Sequence, residues 1–339
     1  MSLLARAAGL ASAKSFPSSK LTAVFGGVLY PPATSQLGGG AGPTNPSSLS
    51  CAAQGSSSQL TSNLNTVKKA AEHGAGAVVL KSLFEEQLLA DTDRLLDQDE
   101  QYFWFPEAVD FINSHAKEQG VDEYLTLIEG SKSQTSIPII GSVNCNTPHE
   151  WPRFASALED AGIDGLELNI SISPFDPELT SQEIEDRYVE IVTEVKKYVQ
   201  VPVAVKLGPM FTNPYRLVQQ LERAGADAVV LFNRFFQPDI DIEKERIVRG
   251  SKFSSPEEMT EPLRWVSLLS NRVSCDLAGN TGIHTAEGVV KHLLAGADAV
   301  QVCTTLYKNG LDYMETLISD LTSWGQEQHY SSIGQFQGK

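Results

Sequence analysis

Four cysteines in 339 residues, none in a CxxC pair, leave no basis for a zinc site or a disulfide framework, and no metal is expected. Cys51, Cys145, Cys275 and Cys303 lie far apart, and three of them fall inside apolar strand-like runs, where a buried free thiol is the plain reading. No apolar run approaches the length that spans a bilayer. Basic charge is also scarce: 26 Lys and Arg stand against 42 Asp and Glu, a formal charge of -16. Such a surface repels phosphate backbones and anionic lipid, so neither nucleic acid nor a membrane is an expected partner, while a local anion site stays open. Acidic residues are missing from the first 71 positions, which carry Arg6, Lys14 and Lys20 among Ser, Ala and Gly. That composition suits an organelle transit segment, although arginine is scarce; the expected location is cytoplasmic, with an organelle as the alternative. From Pro31 to Ser50 the run PPATSQLGGGAGPTNPSSLS reads as a flexible insert without a core. No GxGxxG follows the first strand-like run, which argues against a doubly wound open sheet.

What is present, from about residue 60 onward, is a repeated phrase. HGAGAVVLK (73–81), AGIDGLELN (161–169), AGADAVVLFN (224–233) and AGADAVQV (295–302) each read as a helix end closed by glycine and followed by a strand buried on both faces. A second phrase alternates with it: SIPIIGSV (136–143), VPVAVKL (201–207) and RVSCDLAG (272–279), with Pro138 and Pro202 at strand entrances. Helical stretches such as WPRFASALEDAG and NPYRLVQQLERAG separate them. With a first strand near 50–56 the count reaches eight, which predicts an α/β fold of the (β/α)8 TIM barrel type over residues 51–330, preceded by an extension over 1–50. Residues 84–135 are too long for a single helix, and FFQPDIDIEKERIVRG (235–250) reads as a strand pair inserted after the sixth barrel strand.

In such a barrel the C-terminal strand ends carry function. Those ends present Lys81, Asn144, Asn169, Lys206 and Asn233, then the turns AGNTGI (278–283) and QVCTT (301–305). Two lysines at equivalent strand ends imply something acidic or electron-rich between them, because an unpaired buried ammonium is costly. Asparagines suit a flat heterocycle with alternating carbonyl and N–H edges, and the two turns offer backbone N–H groups for a phosphate. Each has a plain alternative: a lone strand-end Asn more often caps the next helix, and a single Lys often snorkels past the rim.

Lys81 in AVVLKS, Asn169 in ELNIS, Lys206 in PVAVKL, Asn233 in LFN, Gly282 in TGI and Thr304 in QVCTT resemble, in order and spacing, the FMN-dependent dihydroorotate dehydrogenase family. The resemblance covers roughly residues 55–328, and KSLFEEQ, YFWFPEA and LFNRFFQPDID are similar to its dihydroorotate dehydrogenase-like branch. TAVFGGVLYPP (22–32) looks like that family's N-terminal hairpin, placed at 21–32. By this resemblance FMN is the cofactor and a small dihydropyrimidine-like molecule the substrate. Ser57 and Ser58 match the turn that meets the flavin ring. Lys81 and Asn169 match residues touching both flavin and substrate, Lys206 the lysine at the N1 and O2 edge, and Asn233 a substrate asparagine. Asn144, Gly279, Thr281, Gly282, Cys303 and Thr304 complete the expected cofactor set; Thr281 stands where a first glycine is expected, and Cys303 replaces another.

The family's general base, a Cys or Ser after the fourth strand, removes a proton from C5 of dihydroorotate while hydride leaves C6 for flavin N5. Aligned without a gap that position is Ile172, which takes no proton. With one extra residue it is Ser173, so Ser173, Ser171 and Lys81 are the catalytic candidates. Two rivals remain at this stage: a flavin-binding homologue without turnover, and a flavin-free phosphate-binding lyase or isomerase using Lys206 as a Schiff base. A homodimer is implied by the resemblance alone.

Overall fold

The computed structural model describes residues 54–55, 59–84, 106–144, 150–172, 177–234 and 238–339. The extension, its hairpin at 21–32 and the insert that follows lie outside the described residues.

Eight parallel strands close on themselves. They are β1 (Gln54–Gly55), β2 (Val78–Val79), β4 (Ile139–Asn144), β5 (Gly165–Asn169), β6 (Val203–Leu207), β7 (Ala228–Leu231), β10 (Asp276–Asn280) and β11 (Ala299–Val302). Neighbours pair in that order from β4 to β11; β11 then pairs with β1, β1 with β2, and β2 returns to β4 through Val78↔Ile139 and Val79↔Ile140. A short β3 (Leu83–Phe84) resumes the line of β2 and pairs with Val143 and Asn144. Between β2 and β3 the phenol of Tyr124 accepts from the Ser142 N–H (3.0 Å) and donates to the Ser142 carbonyl (3.3 Å), serving the backbone where the ladder is interrupted. Tyr124 belongs to α2 (Pro106–Gln134), a single helix over the second half of the long 84–135 interval. After the sixth barrel strand, β8 (Pro238–Asp241) and β9 (Arg246–Arg249) pair antiparallel as a separate hairpin.

The remaining helices follow the strands: α1 (Leu64–Glu72), α3 (Glu150–Asp160), α4 (Ser181–Tyr198), α5 (Pro214–Ala224), α6 (Thr260–Leu269), α7 (Ala286–Leu294), α8 (Thr304–Asn309) and α9 (Tyr313–Glu327). The repeated phrase explains their endings. Gly225 closes α5 at φ 103°, a conformation that penalises any Cβ, and Gly74, Gly162 and Gly296 take the same role at φ 89°, 94° and 101°. The aspartate two residues after the glycine reaches sideways to a neighbouring strand. Asp164 accepts from the Ile139 N–H (2.7 Å), Asp227 from Val203 (3.0 Å) and Asp298 from Leu277 (2.9 Å). Three copies of one phrase thus tie adjacent strands in register at the bottom of the barrel, and leave its top free for chemistry.

The barrel interior is narrow and lined by small side chains, Ala204, Ala228, Ala278 and Ala299 among them, with Val79 and Ile140. Larger apolar residues such as Trp151, Phe154, Leu158, Leu166 and Leu168 fill the layer between strands and helices.

One buried group in that layer makes stability depend on acid. His292 on α7 is 0% exposed, donates from Nδ1 to the Gly288 carbonyl (3.0 Å), and leaves Nε2 buried without a partner. Burial pushes its pKa from 6.5 down to about 4. Between those values the unfolded chain holds the extra proton and the folded one does not, so this contribution is intact above pH 6.5 and is lost as pH falls toward 4. The loss amounts to about 3 kcal/mol. Melting temperature measured across that window should therefore drop steeply in the wild type and flatten in His292→Leu.

Candidate functional site at the barrel mouth

Asn169 is the last residue of β5 and Lys206 the fourth of β6, and the two are register partners across the ladder. Strand alternation puts Glu167, two residues before Asn169, on the same inward side and opposite Ala204, one layer deeper. All three are buried. Lys206 is 2% exposed, yet its ammonium is well supplied: Nζ donates to Gln301 Oε1 (2.8 Å) and lies 3.5 Å from Glu167 Oε1. Gln301 passes its own amide hydrogen to Glu167 Oε2 (2.7 Å), so one glutamine from β11 bridges both members of the pair. The acidic group that two strand-end lysines implied is therefore part of the protein itself.

From Glu167 the network continues around the mouth. Ser142 Oγ donates to Glu167 (3.4 Å) and shares a hydrogen bond with Ser82 Oγ (2.8 Å). Asn169 Nδ2 donates to Ser82 (3.4 Å), and Asn233 Nδ2, just past β7, donates to Asn169 Oδ1 (2.8 Å). The amides are thus oriented by the protein before any ligand arrives, which is the condition for reading a polar ring edge. Lys81 sits half-buried beside Ser82, and Asn144 half-buried at the end of β4. Ser57, Ser58 and Ser173 fall outside the described residues; Ser171 is exposed just beyond Asn169 and Ile170. Ile172 is half-buried against the core beside Tyr188 and Phe211, in the layer outside the strands.

A second cleft opens next to the amides, lined by Arg234, Lys252, Thr281, Gly282, Cys303 and Thr304. Thr281 (φ 73°) and Gly282 (φ 78°) are both left-handed, so two successive backbone units turn sharply after β10. Thr281 adopts the conformation a glycine takes more easily, and its hydroxyl donates to the Phe232 carbonyl (3.0 Å), as does Asn280 Nδ2 (2.8 Å). Gly282 has no such freedom: a Cβ there would lie 2.3 Å from the Met259 backbone nitrogen. Gly282→Ala should cost about 3 kcal/mol in unfolding free energy and displace the turn, an outcome read by denaturant titration. Gly279 faces the other way. Its Cβ would strike the His292 ring at 2.2 Å, so the missing side chain makes room for α7 rather than for the cleft.

Arg234 is held by Glu258 (2.7 Å) and by the Ser251 carbonyl (3.0 Å), while Lys252 lies over the Phe253 and Tyr307 rings. Thr304 accepts from the Ser254 N–H (3.2 Å), tying the segment after β9 to the start of α8. Behind it Ser254 Oγ meets His284 Nε2 (3.2 Å); burial, then the nearby Lys308 charge, lowers the pKa of that imidazole. Sequence reasoning passed over Glu167, Gln301 as a bridge, Ser82, Ser142, Arg234 and Lys252. For Glu167 the strand period, two residues before Asn169, gave the inward face but not the partners, which come from distant strands. Among the described residues there is no group of three metal-ligating side chains, and no helix is long and apolar enough to cross a membrane.

The fold and mouth together define a (β/α)8 barrel with an amide-lined mouth that carries Lys81 and Lys206, and an adjoining cleft at two backbone turns that carries Arg234 and Lys252. The family profile described as Dihydroorotate dehydrogenase matches residues 61–324. Among curated proteins the chain is 29% identical over 286 residues to the catalytic subunit of dihydroorotate dehydrogenase B (NAD(+)) of Thermoplasma volcanium, covering 82% of this chain and 91% of that protein. The same-named subunit of Methanocaldococcus jannaschii is 28% identical over 272 residues, with 78% and 86% covered. That of Pyrococcus abyssi is 32% identical over 218 residues, with 62% and 72% covered. The chain belongs to the dihydroorotate dehydrogenase family.

Proposed function

We propose that this chain is an FMN-dependent oxidoreductase that converts dihydroorotate to orotate. The observation that carries the reading is the buried Lys206–Gln301–Glu167 arrangement beneath preoriented Asn169 and Asn233. Relatives named dihydroorotate dehydrogenase, similar along most of the chain, support the substrate. The donor set fits FMN: one fixed ammonium and oriented amides for the edge of a flat ring, and next to them backbone turns flanked by Arg234 and Lys252 for a phosphate. When bound, the flavin supplies the acceptor for the hydride.

The residues of the chain then have separable tasks. Lys206 places a positive charge where electron density accumulates, and the carboxylate beneath it fixes its position. Asn169 and Asn233 orient the pyrimidine ring, and Lys81 offers a second cation at the mouth. Ser173 takes the C5 proton. An isoleucine has no such capacity, and Ile172 is committed to the packing around Tyr188 and Phe211. A homodimer and a cytoplasmic location belong to the same reading, to be checked by sedimentation and by cell fractionation.

Purified protein should be yellow, release FMN on denaturation, and lose its visible flavin absorbance when dihydroorotate is added without oxygen. A yellow protein that stays yellow would make it a flavin-binding homologue without this turnover. A colourless one that is trapped by borohydride on Lys206 in the presence of a carbonyl substrate would make it a lyase.

A further inference from the structure

Outside the barrel wall, between the ends of β5 and β6 and the first turns of α4, lies a cavity of ≈ 130 Å³ that the redox site does not use. Its walls are mainly apolar: Ile172, Ile184, Met210 and the edge-to-face pair Tyr188 and Phe211, whose ring centroids are 5.3 Å apart at 86°. Glu185 lines the same cavity. It is 8% exposed and has no hydrogen-bond or ion-pair partner among the described residues. Arg216 donates to Gln182 (3.1 Å), and Arg187, exposed two positions further along α4, does not share the face of Glu185. A largely buried carboxylate beside aromatic and thioether walls, without a counter-charge among the described residues, offers a partner to a cation entering the cavity.

We infer that this cavity is a binding site for a small organic ammonium ion, with Glu185 as its counter-charge and the Tyr188 and Phe211 rings as its wall. An anion is disfavoured by Glu185 and by the formal charge of -16. A neutral apolar molecule would leave the carboxylate unanswered. Quadrupoles of the two rings add attraction for a cation beside them. The volume suits about one ring: an apolar cavity of roughly 150 Å³ accepts benzene. The site adjoins the redox centre without sharing its ligands, because Ile172 and Gly208 lie three and two residues beyond Asn169 and Lys206.

Benzylamine, charged at neutral pH, tests this by calorimetry and ligand-observed NMR on the full chain, with benzyl alcohol and benzoate as controls of the same size. Wild-type protein should bind benzylammonium at least ~10-fold more tightly than benzyl alcohol, equivalent to about 1.4 kcal/mol, and should not bind benzoate. Glu185→Gln should erase the preference. Met210→Lys offers an independent variant: Met210 is 66% exposed at the cavity's edge, so an ammonium introduced there should block benzylammonium while leaving flavin content unchanged. Absence of any preference in the wild type overturns the inference. So does a preference that persists in folded Glu185→Gln or, should that protein not fold, in Met210→Lys. None of these readouts depends on dihydroorotate turnover.

Discussion

Replacing Lys206 by methionine should lower the unfolding free energy by about 3–5 kcal/mol and reduce dihydroorotate-driven flavin reduction by at least ~100-fold. The two losses have different origins. Glu167 is 1% exposed and has the ammonium 3.5 Å away, so removing the cation leaves a buried negative charge with only the neutral donors Gln301 and Ser142 to hold it. Gln301 then has no cation for its carbonyl, although its amide still donates to Glu167. The double variant Lys206→Met with Glu167→Gln removes the stranded charge. It should recover most of the stability measured by denaturant titration, and none of the flavin reduction. A double variant as unstable as Lys206→Met alone would mean that the lysine stabilises the barrel by packing its stem rather than by pairing.

Ser173→Ala should depress the rate of anaerobic flavin reduction by about 10²–10⁴-fold, the range for removing a positioned base, with little change in dihydroorotate affinity. Ser171→Ala should change the rate less than about threefold. Asn169 faces the mouth, Ile170 is buried in the core, and Ile172 packs with Tyr188 and Phe211 on the outer side. Neither isoleucine side chain faces the mouth, so the two serines are the candidates in this segment. Stopped-flow reduction of each variant separates them. A large loss in Ser171→Ala with none in Ser173→Ala would move the base two residues toward the strand.

Much of the barrel was legible because its physics repeats. The glycine that ends a helix and the aspartate that ties the next strand recur in fixed order, and both act through the backbone, where sequence pattern is most direct. Lys206, Asn169 and Asn233 were likewise readable, since a polar residue ending an apolar strand has only the mouth or a cap to face. Glu167 was not. It lies inside LELN, where a charge in an apolar run has no partner visible along the chain; the partners come from β6 and β11, 39 and 134 positions away in sequence. The packing of Gly279 was not readable either: within AGNTGI its close contact with the His292 ring appears only once α7 is placed.

The vertical order of Glu167 and Lys206 also shapes what an incoming ligand feels. Because the carboxylate lies one layer below the ammonium, the pair forms an electric dipole aligned with the barrel axis, positive end toward the opening. Its surroundings are protein side chains shut off from bulk water, which attenuate a field less than water does. Charges on the acidic exterior, by contrast, are damped over about 8–10 Å of saline. A molecule with a formal charge of -16 can in this way present a local electropositive well to a carboxylate-bearing substrate, and salt, by screening the repulsion of the acidic exterior, should speed the approach of that substrate without weakening the well itself.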